Sequence, residues 1–149
     1  MRATLDFTID ELIRSATAER LGIDNLPPPE EMANLRHLAV KILQPLRDAW
    51  QRPIIVTSGY RSPALNKALG GARNSQHLYG EAADIQSATR SPEDNQKLFA
   101  LASALVRDGT IEVGQLIDEY AYGAEGGQRC AGRDSADLRC PERGQNRHL

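Results

Sequence analysis

Apolar side chains recur every three or four positions from Met32 through Leu35, Ala39, Ile42 and Leu46 to Ala49, with Leu38, Leu43 and Trp50 widening the stripe. This spacing predicts an amphipathic helix with a broad buried face. It is entered after the stiff run Asn25-Leu26-Pro27-Pro28-Pro29, and Pro45, which has no backbone donor, is expected to kink it. An earlier helix is announced by Phe7-Thr8-Ile9-Asp10-Glu11-Leu12. Thr8 and Glu11 form a capping box there, Phe7 can staple onto Leu12, and the helix is expected to end near Ala16.

Ile54-Ile55-Val56-Thr57-Ser58 is a β-branched run between Pro53 and Gly59 and predicts a buried strand over 54–58. A short helix from about Pro63 to Leu69 is stopped by Gly70-Gly71, and the polar stretch to Tyr79 reads as a loop turned by Gly80. Small residues in Ala82-Ala83-Asp84-Ile85 predict a second, tightly packed strand over 82–86. Ser91-Pro92-Glu93-Asp94 is a capped helix start, with Leu98, Leu101, Ala102 and Leu105 as its apolar face and Gly109 at its end. A third strand is predicted over 113–119, where Val113, Gln115, Ile117 and Glu119 share one face. The short apolar strands and the helices around them predict a single α+β domain whose three strands share one small sheet, covered by helices.

The pattern changes at Gly123. Residues 123–149 carry five Arg, five Gly and both cysteines, with Leu138 and Leu149 as the large aliphatics. Such a segment buries little and is expected to be a polar, disordered or aberrant tail, whereas residues 1–122 form the folded domain. The 18 basic and 20 acidic residues of the chain give a net charge of −2, which excludes the basic surplus of a dedicated nucleic-acid binder. No apolar run is long enough to span a bilayer, and the N-terminal residues lack a signal-peptide core, so synthesis in the cytoplasm is expected; the chain is read as a monomer. Cys130 and Cys140 stand ten apart, too few for a disulfide framework and too far apart for a redox CxxC pair.

Candidate chemistry is concentrated in Ser58-Gly59-Tyr60-Arg61-Ser62, Asn66, Gly70-Gly71 and Ser75-Gln76-His77-Leu78-Tyr79-Gly80-Glu81-Ala82-Ala83-Asp84. An imidazole and a carboxylate are good zinc ligands. Seven extended residues span roughly 23–25 Å, so His77 and Asp84 can share an ion only if the chain folds back near Gly80.

The Ser-Gly-Tyr-Arg strand end and the pattern Ser-x-His-x-x-Gly-x-Ala-x-Asp from Ser75 to Asp84 resemble the zinc D-alanyl-D-alanine carboxypeptidase family, which includes cell-wall peptidases and phage endolysins and shares its fold with the Hedgehog signalling domain. Phe7-Thr8-Ile9-Asp10-Glu11-Leu12, Arg14-Ser15 and Leu43-Gln44-Pro45-Leu46-Arg47 look like its small phage-associated branch, so the resemblance covers about residues 5–120. It implies that the small sheet is antiparallel or mixed, with a Zn2+ cofactor bound by His77 and Asp84, and Arg61 as the cation that steadies an oxyanion or the substrate's carboxylate. It also implies Tyr60 and Ser75 beside the substrate, and Glu119 as general base at the end of the third strand. The implied reaction is hydrolysis of a peptide bond in a peptidoglycan stem peptide, with access to the cell wall through a partner holin. Here the sequence departs from the family pattern. The third ligand is a histidine in a Trp-x-His-x-Ser-like strand, and Gly123-Ala124-Glu125-Gly126-Gly127 stands in its place. The alternatives are His148, Cys130 or no third donor, His37 being assigned to a helix surface. An impaired peptidase and a catalytically inactive cell-wall peptide-binding module of the same fold both follow from that departure.

Overall fold

The computed structural model describes residues 2–118 and 136–139. Helix α1 spans Ile9–Ile13, and its capping box is formed: Glu11 N–H donates to Thr8 Oγ1 at 3.1 Å and Thr8 N–H to the Glu11 carboxylate at 3.5 Å. Phe7 and Leu12 are both buried at its inner face. The helix stops before the expected Ala16, because Arg14 is extended and the Ser15 hydroxyl caps a second short helix, α2 (Ala16–Leu21), by accepting from Ala18 N–H.

Helix α3 (Pro29–Leu38) runs through a π-helical turn, Ala39–Leu43, into α4 (Gln44–Trp50). The kink expected at Pro45 takes this form: Gln44 N–H reaches back five residues to Ala39 O, and the residue that cannot donate follows directly. The wide turn also rotates the apolar stripe, so Ala49 is exposed while Trp50 is half-buried.

Strand β1 (Ile54–Ser58) leads to α5 (Pro63–Ala68), capped by Ser62, and a 3-10 turn, Gln76–Tyr79, forms inside the stretch expected to be loop. Strand β2 (Ala82–Ser87) and helix α6 (Pro92–Arg107) follow, the latter capped by Ser91 as its sequence implies. Strand β3 (Gln115–Asp118) starts two residues later than the alternation suggested.

The three expected strands lie in one sheet, all pairings antiparallel, and the fold is α+β as predicted. A fourth strand, β4 (Ala136–Arg139), stands between β2 and β3 to give the order β1-β2-β4-β3. For those four residues the expectation of a tail outside the fold does not hold, because their backbone completes hydrogen-bonded ladders with β2 on one side and β3 on the other. The rest of 123–149 lies outside the described residues. No helix among the described residues is long and apolar enough to cross a membrane.

Period-two alternation divides β2 between two tasks. Ala83 and Ile85 enter the core with Leu35, Leu38, Ile42, Leu46, Leu98 and Ala102, while Asp84 and Gln86 line a cleft on the other face. A β-bulge between Val56 and Ser58 changes the register of β1 against β2, from Val56 opposite Ile85 to Ser58 opposite Asp84. The extra residue turns Ser58 from the core side to the cleft side, next to the carboxylate.

Candidate metal centre and substrate cleft

Two glycine-bearing segments bring His77 to Asp84. Ser75 caps the 3-10 turn, its hydroxyl accepting from His77 N–H at 3.3 Å, and Gly80 ends the turn in the left-handed region (φ 72°). The chain thereby reverses into β2, as the spacing of the two residues required. Gly59, immediately after β1, offers its carbonyl to His77 Nδ1 at 2.7 Å. A carbonyl only accepts, so Nδ1 carries the hydrogen and a neutral ring has its lone pair at Nε2. Nε2 lies 3.7 Å from Asp84 Oδ2, with both residues buried.

That distance is too long for a hydrogen bond and suits two donors to one ion. Ligand atoms on a tetrahedral zinc with bonds of 2.0–2.2 Å stand about 3.3–3.6 Å apart. The Nδ1–H···O=C contact supplies the outer-shell partner that orients a metal-binding imidazole. His77 and Asp84 therefore fit zinc as two of its ligands. Among the described residues no group of three His, Cys, Asp or Glu side chains converges. Strand β4, beside β2, reads Ala136-Asp137-Leu138-Arg139 and contains no histidine. Glu119, Cys130 and His148 lie outside the described residues, and His37 is exposed on α3.

Arg61 closes one side of the site. Its Nη2 is 3.7 Å from the same Asp84 oxygen, its Nε donates to Ser58 Oγ at 3.2 Å, and its backbone N–H donates to His77 O at 3.0 Å. The bulge that re-aims Ser58 thus also fixes the guanidinium. Tyr60 is buried and lines the cleft, its backbone N–H bonded to Leu12 O at 2.8 Å. Burial, and then the negative charges of Glu31 and Asp24, push its phenol pKa up, so Tyr60 is a neutral hydrogen-bonding group and not a base near neutral pH.

The cleft has a volume of about 430 Å³, and its wall includes Arg14, Ser15, Thr17, Ser58, Tyr60, Arg61, Asp84 and Gln86. His77 and Asp84 face one another as the sequence suggested, and Arg61 and Tyr60 stand beside them. Ser75 is buried under the turn that carries His77, where its hydroxyl acts on backbone. Asn66 is also buried and structural, its amide donating to Ala72 O at 2.9 Å over Gly71, where a β-carbon would collide with it.

Sequence reasoning missed Asn25, Arg14 and Gln86. Asn25 ties three segments together, donating to Ile13 O at 2.7 Å and Tyr60 O at 3.1 Å and accepting from Ser62 N–H at 2.7 Å. No periodicity marks it. Gln86 was accessible in principle, since it lies two residues from Asp84 on the same strand face.

The chain is 40% identical over 72 residues to a zinc D-Ala-D-Ala carboxypeptidase of Streptomyces albus G, an alignment covering 48% of this chain and 26% of that relative. The aligned part is thus about a quarter of the relative's length. The family description Peptidase M15 matches residues 5–115, which hold the turn with His77, the strand with Asp84 and the Arg61 wall, and the chain belongs to that peptidase family.

Proposed function

We propose that this chain is a zinc-dependent peptidase of the D-alanyl-D-alanine carboxypeptidase type, acting on peptidoglycan stem peptides at the cell wall. The observation that carries the reading is the convergence of His77 Nε2 and Asp84 Oδ2 on one point beside the Arg61 guanidinium, at the wall of a cleft. When bound, zinc supplies Lewis-acid polarisation of a peptide carbonyl and a nucleophilic water near neutral pH.

The protein's own groups do the rest. Gly59 O holds the imidazole in the tautomer that presents Nε2. Arg61, fixed by Ser58, places a permanent positive charge where a tetrahedral oxyanion would develop. Tyr60, kept protonated, can donate a hydrogen bond to substrate from the cleft wall. Glu119, which follows β3, is the proposed general base.

A zinc titration by calorimetry combined with a D-alanine release assay tests this. His77→Ala and Asp84→Ala should each weaken zinc binding by at least about 10-fold and abolish zinc-dependent release. Zinc binding unchanged in both variants would sink the assignment. The absence of a histidine from Ala136–Arg139 favours a second reading, a peptide-binding module of the same fold with little or no turnover. Stem-peptide binding without D-alanine release, at saturating zinc, would select it.

A further inference from the structure

The sheet order leaves β1 at one edge, with no strand beyond it among the described residues. Its hydrogen-bonding phase can be read from β2. Ser87, opposite Ile54, gives its N–H to the Asn95 side chain at 2.8 Å, so Ile54 and Ser87 are a pair that does not exchange ladder bonds. Such pairs alternate with bonded ones along an antiparallel ladder. Ile55 and Gln86 are then a bonded pair, and Val56, opposite Ile85, points its N–H and C=O away from β2. In the same phase the main chain of Asp84 turns back towards β1, where its carbonyl accepts from Thr57 Oγ1 at 3.2 Å. Val56 makes no hydrogen bond outside the sheet among the described residues. Its side chain packs against the core, yet it lines the cleft together with Thr57 and Ser58, as a residue whose main-chain edge forms part of the wall does. Ser58, two positions on, holds Arg61 beside Asp84. An open ladder thus runs along the cleft into the candidate metal centre.

Resting on the peptidase reading, we propose that the free edge of β1 at Val56 is a subsite for the main chain of the substrate, which pairs with it in extended form as an added strand. An amide N–H of the peptide donates to Val56 O, and a peptide carbonyl accepts from Val56 N–H. Two strand residues span about 7 Å, so the paired residue lies about two positions from the bond that reaches Arg61 and Asp84. Main-chain pairing sets how far the peptide enters without reading its side chains. Peptides of different composition are then held in one register against the metal centre.

The test measures, by calorimetry on the full chain with zinc added, the binding of N-acetyl-L-alanyl-D-alanyl-D-alanine and of two derivatives, N-methylated at the first or at the second alanine. Neither methyl lies on the D-alanyl-D-alanine amide itself. Successive N–H groups of an extended chain point to opposite sides, so only one of the two methyls removes the donor to Val56 O and fills the ladder. That derivative should bind at least about 10-fold more weakly than the parent, and the other within about 3-fold of it. Equal losses, no loss in either, or no measurable binding of the parent would overturn the proposal. A proline is tolerated where an edge N–H faces outward and not where the N–H serves the ladder, so Val56→Pro should melt higher than Ile55→Pro. Val56→Pro should also keep wild-type zinc affinity while binding the parent peptide about 3- to 10-fold more weakly. Equal melting temperatures, or unchanged peptide affinity in Val56→Pro, would count against the edge as decisively. Alternating sensitivity in binding with no hydrolysis of the parent would instead sink the peptidase reading and leave the strand subsite standing. D-alanine release from both derivatives at the parent's kcat/KM would do the reverse.

Discussion

Gly59 lies where the end of β1 passes the C-terminus of α1, and a β-carbon there would collide with the backbone carbonyl of Leu12 and come within 3.0 Å of its carbon. Its φ is not in the left-handed region, so alanine at this position meets no dihedral penalty and the cost of Gly59→Ala is steric. The obstructing atoms are backbone and cannot rotate away. Relief requires α1 and β1 to separate, which lengthens the 2.8 Å bond from Tyr60 N–H to Leu12 O. Overpacking costs about 1–3 kcal/mol and the strained hydrogen bond about 1 kcal/mol more, so the variant should lose about 2–4 kcal/mol. For a domain of this size that corresponds to a fall in Tm of about 8–16 °C. Gly70→Ala is the matched control: nothing lies within 4 Å of its added carbon, but its φ of 69° should cost about 1 kcal/mol. The movement at Gly59 also carries its carbonyl away from His77 Nδ1, so zinc affinity should fall about 10-fold or more in Gly59→Ala and stay unchanged in Gly70→Ala. Calorimetric melting and zinc titration of both variants decide it. A Gly59→Ala protein that melts within about 3 °C of wild type would refute the steric argument.

Asn25→Ala removes three hydrogen bonds and should destabilise the domain by about 2–3 kcal/mol; a chemical-denaturation loss below about 1 kcal/mol would show that the connector is not held by them. Because the folded pKa of Tyr60 lies above its ordinary value of 10.0, its contribution is fully present below that value and is lost as pH rises through the folded pKa. Tyr60→Phe should flatten the alkaline fall in Tm, and identical slopes above pH 10 in both proteins would contradict it. Asp94, lowered chiefly by the 2.6 Å hydrogen bond from Thr89, contributes above its unfolded value of 3.8 and loses that contribution as pH falls through the lower folded pKa. Thr89→Val should therefore raise the Asp94 pKa in an NMR titration, and an unchanged midpoint would reject the assigned cause.

The elements that were legible in the sequence are those in which local chemistry and burial agree. Thr8 and Ser91 each cap the helix that follows, and the stripe from Met32 to Leu46 faces the core. The reversal that joins His77 to Asp84 was legible because seven residues cannot otherwise bring two ligands together. What was not legible depends on contacts distant in sequence. The bulge at Val56/Ser58 exists only in pairing with β2, and Ser15 ends α1 early because it caps a helix whose own periodicity is too short to show. Asn25 bonds residues 12, 35 and 37 positions away. Strand β4 alternates apolar and polar over only the four residues Ala136-Asp137-Leu138-Arg139, too few to announce a strand within a polar segment, and its position comes from the open ladders of β2 and β3 on either side.

The order β1-β2-β4-β3 bears on how the chain assembles as it is made. Strands β1 and β2 are near neighbours in sequence and can pair as soon as Ser87 has emerged, with α6 packing behind them. Strand β3 leaves the ribosome next, yet its backbone partner is neither of these strands. Until residues 136–139 arrive and slip between β2 and β3, the chain carries two open ladders, one of them on the strand that holds Asp84. Closure by the last strand joins pieces far apart in sequence, the slow kind of contact, and makes the exposed edge of β2 the place where a nascent or shortened chain is most open to pairing with another copy.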